Sequence, residues 1–163
     1  MDVVFTIVSR NYGAQAATLM ESLALAEPSA RRVVVATDGP LPGLAGRAEV
    51  IEAASLDLPF EAMRLYYDAL ELNTAVKPYA FRQLLAEPGV GSVTYLDPDI
   101  WVYRPLVEVR EALARAQLCL TPHLTRPLAG PANPNDRTIL QSGVYNLGFM
   151  AARRDPQIFA LLD

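Results

Sequence analysis

Val93-Thr94-Tyr95-Leu96-Asp97-Pro98-Asp99-Ile100-Trp101-Val102 is the stretch from which the rest of the chain can be read. A strand-forming apolar run ends on two aspartates one residue apart, and apolar residues resume at once. Pro98 disfavours the α region for Asp97 and pushes it to an extended conformation. In an extended chain, residues i and i+2 project to the same side. The expectation is that both carboxylates converge at the end of a buried strand, with residues 100–103 continuing extended. Two like charges so placed repel each other unless a cation joins them. A hard divalent ion held by one or two carboxylates plus substrate phosphates is the pattern of Mg2+ or Mn2+. Asp97 and Asp99 are therefore the candidate metal ligands. The competing reading is a plain polar Asp-Pro-Asp turn.

Upstream of this stretch, strands alternate with helices. Residues 3–8 read as a buried strand, and residues 13–26 as a helix with Ala16, Leu19, Leu23 and Ala26 on one face. A second strand at 33–37 ends in the turn signal Asp38-Gly39. A Gly/Pro-rich loop at 41–47 leads to a short strand at 50–51. Helices are expected at 60–72 and 77–86. Pro78 is placed in the first turn of the second, because a proline inside a helix costs about 3 kcal/mol. Downstream, a helix at 107–116, a strand at 117–120 and a long proline-rich loop at 121–135 are followed by a strand at 144–151. A final helix opens at Pro156, with Asp155 as its N-cap. The pattern is that of one α/β domain, residues 1–163, with a mainly parallel sheet flanked by helices. The last helix has hardly begun at Asp163, so the domain reads as truncated at its C-terminus.

Composition narrows the function. With 163 residues, 52% hydrophobic and 20% charged, the chain has the make-up of a folded domain. A formal net charge of −4 argues against nucleic acid as a partner, since phosphates need a basic patch. No apolar run is long enough to span a bilayer and no leader pattern opens the chain, so a cytoplasmic protein without a transmembrane segment is expected. The single cysteine, Cys119, excludes an internal disulfide and reads as a buried structural thiol. The single histidine, His123, excludes histidine-pair zinc motifs. Lys77 is the only lysine among fourteen basic residues, which singles it out.

Leu96-Asp97-Pro98-Asp99 resembles the D-x-D motif of GT-A-fold glycosyltransferases, in which a metal bridges the protein to the donor diphosphate. Three further segments resemble the same group in the same order: residues 6–12 (Thr-Ile-Val-Ser-Arg-Asn-Tyr), Lys77-Pro78, and residues 142–149 (Ser-Gly-Val-Tyr-Asn-Leu-Gly-Phe). The likeness is to the glycogenin-like and lipopolysaccharide-galactosyltransferase-like families and to bacterial glycosyltransferases near them, and it covers residues 3–154. It implies the Rossmann-like GT-A fold of nucleotide-diphospho-sugar transferases. It also implies transfer of a sugar from a nucleoside-diphosphate donor to a hydroxyl-bearing glycan or lipid-linked acceptor, with retention of configuration.

By that resemblance, Asn11 and Tyr12 cup the nucleoside; Asn11 reads equally as a helix cap. Asp38 holds base or ribose, or is simply a turn residue. Lys77 contacts the donor phosphates or sugar, the alternative being a solvated helix charge. Asn146 and Gly148 lie near the donor sugar, Gly148 allowing close backbone approach; the alternative is a strand with a bulge. His123 either contacts a sugar hydroxyl or is an exposed loop histidine. Gln141 is a candidate for the acceptor side. The chain departs from the families in length, and in lacking the C-terminal segment that brings a third metal ligand, so a missing segment or partner domain is expected.

Three rivals remain. A sugar-phosphate nucleotidyltransferase needs a glycine-rich loop after the first strand, whereas residues 6–13 hold one glycine. A haloacid-dehalogenase-like phosphatase carries its D-x-D on the first strand, not a late one. A non-catalytic sugar-nucleotide-binding module would share every motif except turnover.

Overall fold

From Val3 to Val8 every residue of the first strand is buried, Thr6 included, because helices cover both faces of the sheet it runs through. The computed structural model describes residues 1–128 and 135–163. In chain order its elements are β1 (Asp2–Val8), α1 (Gly13–Ala26), β2 (Arg31–Ala36), β3 (Glu49–Glu52), α2 (Phe60–Tyr66), α3 (Ala69–Ala86), β4 (Ser92–Leu96), α4 (Val107–Leu113), β5 (Leu118–Pro122), α5 (Asp136–Leu140), β6 (Tyr145–Arg153) and α6 (Pro156–Leu162).

The strand order is β3-β2-β1-β4-β6-β5. β3, β2, β1 and β4 run parallel, while β6 is antiparallel to both β4 and β5. Side chains alternate between two cores. Val3, Phe5, Ile7, Val93 and Tyr95 pack beneath α3 with Val76, Ala80, Phe81 and Leu84. Val4, Val8, Val34 and Leu96 pack beneath α1 with Ala16, Leu19 and Leu23. The chain leaves β1 toward β2 on one side and reaches β4 on the other. The carboxyl ends of β1 and β4 thus form the topological switch point where open α/β sheets bind ligands.

The α/β sheet, α1 and β4 agree with the sequence reading, and several local expectations do not. The helical segment at 60–86 is broken elsewhere: α2 stops at Tyr66, and α3 starts eight residues earlier than expected. The cause is a capping box, in which Asp68 accepts from the Glu71 N–H at 2.8 Å and Glu71 accepts from the Asp68 N–H at 3.0 Å. Pro78 consequently lies inside α3, where its missing N–H cannot reach the Thr74 carbonyl. The buried contacts of Val76, Ala80, Phe81 and Leu84 offset that loss.

Residues 100–103 do not continue as a strand. The chain turns at Asp97, whose carbonyl accepts from the Ile100 N–H at 3.2 Å, placing Pro98 at the second position of the turn, where its fixed φ fits. The helix expected at 107–116 is α4, which ends at Leu113. The loop expected at 121–135 begins later, since Thr121 and Pro122 still pair with β6. Its residues 129–134 lie outside the described residues. Cys119 is half-buried rather than buried, and burial pushes its thiol pKa up, away from nucleophile character. Asp155 caps α6 as expected, accepting from the Gln157 N–H at 2.9 Å. Among the described residues, no helix is long and apolar enough to cross a membrane.

Candidate functional site

A cleft of about 810 Å3 opens at the switch point, between the carboxyl ends of β1 and β4, the first turns of α3 and the start of β6. Asn11, Tyr12, Lys77, Asp97, Asp99, His123, Asn146 and Gly148 all line it. Asp38 does not. It borders a separate cavity of about 390 Å3 beside the β2 end, where it accepts from the Arg10 N–H at 2.6 Å. Gln141 is exposed and ends α5 outside the cleft; its neighbour Ser142 lines it instead.

Asp97 and Asp99 share the cleft because the turn folds both around its rim, not because they alternate along a strand. The Asp97 N–H donates to the Gly148 carbonyl at 2.8 Å, tying the turn to β6. Its Oδ1 accepts from the Tyr95 hydroxyl at 2.7 Å and lies 3.8 Å from Lys77 Nζ. Burial first, then hydrogen bonding to Asp97, push the Tyr95 hydroxyl pKa far up, so the phenol stays a donor. The donor set is two carboxylates, hard oxygens suited to Mg2+ or Mn2+. Among the described residues no cluster of three or more His, Cys, Asp or Glu forms. The pair therefore fits an ion that completes its shell with water and phosphate oxygens.

Lys77 is not a solvated charge. It is 9% exposed, its Nζ donates to the Leu147 carbonyl at 3.0 Å, and it sits 4.2 Å above the Tyr95 ring centre. Burial lowers its pKa, and Asp97 pulls it partly back. The Leu147 carbonyl is free for this bond because of a bulge: Leu120 pairs with Met150 and Thr121 with Asn146, leaving residues 147–149 without partners on β5. The segment carrying Asn146 and Gly148 is thus a bulged strand, and it lines the cleft.

Gly148 is required by crowding, not by backbone angle. A Cβ there would stand 2.7 Å from Asp97 Oδ2 and 2.9 Å from Asn146 Oδ1. Gly148→Ala is expected to displace Asp97, to cost about 1–3 kcal/mol in stability as overpacking does, and to weaken Mn2+ binding. Denaturant midpoints and Mn2+ titration check this; an alanine variant with unchanged values of both would remove the crowding argument.

Asn11 caps no helix. It sits in a single 3-10 turn, Arg10–Tyr12, and its Oδ1 accepts from Ser9 Oγ. The His123 ring is held by Nδ1–H donation to the Gly143 carbonyl at 2.7 Å, which leaves Nε2 of the neutral ring as an acceptor. Sequence reasoning missed Tyr95, Asn73 and Thr74, all of which line the cleft. Tyr95 was findable as the residue two before Asp97 on one strand face, and Asn73 and Thr74 as those four and three before Lys77 on one helix face. Asn73 is oriented by Thr37, whose hydroxyl donates to Asn73 Oδ1 at 2.7 Å.

The chain has the GT-A fold, its late strand β4 ending on the two aspartates beside the end of β1. The chain is similar in structure to the galactosyltransferase LgtC solved with donor and acceptor sugar analogues, at 20% identity and a TM-score of 0.59, over 98% of this chain and 62% of LgtC. It is also similar to the glycosyltransferase GlyE of Streptococcus pneumoniae TIGR4 (18% identity, TM-score 0.58, 94% of this chain and 34% of GlyE). A third neighbour is the 4-diphosphocytidyl-2C-methyl-D-erythritol synthase of Anaerococcus prevotii (12% identity, TM-score 0.57, 99% and 73%). The chain thus spans less than two-thirds of the length of LgtC and of GlyE. No protein-family model and no curated protein matches the chain.

Proposed function

We propose that the chain is the donor-binding part of a metal-dependent glycosyltransferase that takes a sugar from a nucleoside diphosphate and passes it to a hydroxyl-bearing acceptor. The observation that carries this reading is the gathering of Asp97, Asp99, Lys77, Asn146 and Gly148 in one cleft at the switch point. Asp97 and Asp99 would hold Mn2+ or Mg2+, which supplies Lewis-acid neutralisation of charge on the departing diphosphate. Lys77 adds a fixed positive charge in a partly dry pocket, where a charge acts more strongly than in water. Asn11 and Tyr12 line the end of the cleft beside β1, suited to the nucleoside. Asn146 and His123 present polar atoms beside Gly148, where a sugar would lie. The resemblance to the galactosyltransferase-like families supports retention of configuration at the transferred carbon.

A second reading is favoured by the Anaerococcus prevotii neighbour: a nucleotidyltransferase joining a nucleoside triphosphate to a sugar phosphate. Against it, β1 is followed by Ser9 and a 3-10 turn at Arg10–Tyr12 rather than by a glycine-rich loop. One assay separates these. The chain is incubated with nucleotide sugars and Mn2+, with and without glycan acceptors, and separately with nucleoside triphosphates and sugar phosphates. Diphosphate nucleoside released from the sugar donor supports the transferase; pyrophosphate released from the triphosphate supports the second reading. Donor binding without either product marks a non-catalytic sugar-nucleotide-binding module.

A further inference from the structure

Asp97 is the only one of the two aspartates whose side chain the protein holds by hydrogen bonding among the described residues, and the hold is one-sided. Oδ1 receives the Tyr95 hydroxyl at 2.7 Å and has Lys77 Nζ at 3.8 Å. Among the described residues Oδ2 receives no donor, and it lies 2.7 Å from where a Cβ on Gly148 would stand, on the wall of the cleft. The Tyr95 hydroxyl is itself placed by a buried aromatic row. The Tyr95 ring packs edge-on against Phe5, centres 5.2 Å apart, and Phe5 packs edge-on against Phe81 at 5.0 Å. All three rings are at most 2% exposed, and they join β1, β4 and α3. A hydroxyl carried on so constrained a ring has one position, and it transmits that position to the carboxylate.

We propose that Tyr95 is a positioning residue for Asp97, committing Oδ1 to the protein so that Oδ2 alone is presented to a divalent cation. This rests on the reading of Asp97 and Asp99 as metal ligands. The physical reason is preorganisation. A free aspartate rotates about two side-chain bonds and offers either oxygen, whereas a locked one loses no such freedom when the ion arrives. Hydrogen-bond partners behind a metal ligand are typically worth about 10–100-fold in metal affinity.

The test is Mn2+ binding to the whole chain, followed by the loss of the free-Mn2+ electron paramagnetic resonance signal, for wild type, Tyr95→Phe, Asp99→Asn and Val93→Ala. Tyr95→Phe keeps the aromatic row and removes only the donor. It is expected to stay folded and to bind Mn2+ about tenfold more weakly. Val93→Ala, buried on the same strand, lowers the melting temperature and leaves Mn2+ affinity unchanged. Asp99→Asn abolishes binding. Wild-type or tighter binding by Tyr95→Phe, with binding lost in Asp99→Asn, overturns the role of Tyr95 and leaves the metal site standing. An equal loss in Val93→Ala shows general loosening and overturns it too. Undiminished binding by Asp99→Asn removes the metal site and this proposal with it.

Discussion

Replacing Asp97 or Asp99 with asparagine is expected to abolish the metal dependence of nucleotide-sugar binding and at least about a hundredfold of the affinity, since partners one step removed from a metal are already worth about 10–100-fold. Asparagine keeps the shape of the side chain and one acceptor oxygen, so the Tyr95 hydroxyl retains a partner. What would be lost, on the proposed function, is the negative charge that holds a divalent ion against the charge of a diphosphate. Asp97 is half-buried and Asp99 exposed, so neither change opens a core and both variants should fold. Calorimetric titration with nucleotide sugar in Mn2+ checks this. Equal affinity in wild type and both variants would contradict the assignment.

The second large effect concerns Lys77, and here stability and binding should separate. Lys77→Met removes the ammonium but keeps the hydrophobic stem against Tyr95. Removing one partner of a buried ion pair costs about 3–5 kcal/mol when the other charge is stranded. Asp97 is not stranded, because its side chain is 41% exposed and water can reach it. Burial also outweighs Asp97 in setting the lysine's pKa, so the ammonium is held at a cost that methionine does not carry. The lost bond to Leu147 is the one clear debit, about 1–3 kcal/mol. Diphosphate binding loses a charge-assisted contact worth about 1.5–3 kcal/mol, or roughly tenfold to a hundredfold. Binding of UDP and of pyrophosphate should fall together, while uridine binding does not change. Unchanged pyrophosphate affinity would confine Lys77 to holding the bulge of β6.

The parts of this architecture that local patterning controls were legible in the sequence. The buried runs of β1, β2 and β4 and the face of α1 follow from hydrophobic periodicity, and the lone lysine and the aspartate pair were identified by type and place. At two places one local rule yields to a stronger one. The cost of proline inside a helix put a false start at Pro78, although Asp68 and Glu71 had the spacing of a capping box. The preference of a residue before proline was extended into a strand, although a turn accepts Pro98 at its second position equally well. The antiparallel entry of β6 and its bulge at residues 147–149 depend on sheet register, which no local pattern encodes. The place of Asp38 beside a different cavity from the aspartate pair follows likewise from the order of strands.

If this cleft binds a nucleoside-diphosphate sugar through a divalent ion, sugar nucleotide and metal must stabilise the fold together. Thermal unfolding of the chain with UDP-, GDP- and dTDP-sugars, each with Mn2+ and with EDTA, tests it directly. A true ligand at about 100 times its Kd stabilises by about 2.7 kcal/mol. Such a rise is expected for at least one nucleotide sugar in Mn2+, lost in EDTA and absent in Asp99→Asn. Stabilisation of equal size in EDTA, or by no nucleotide sugar in either condition, would contradict it.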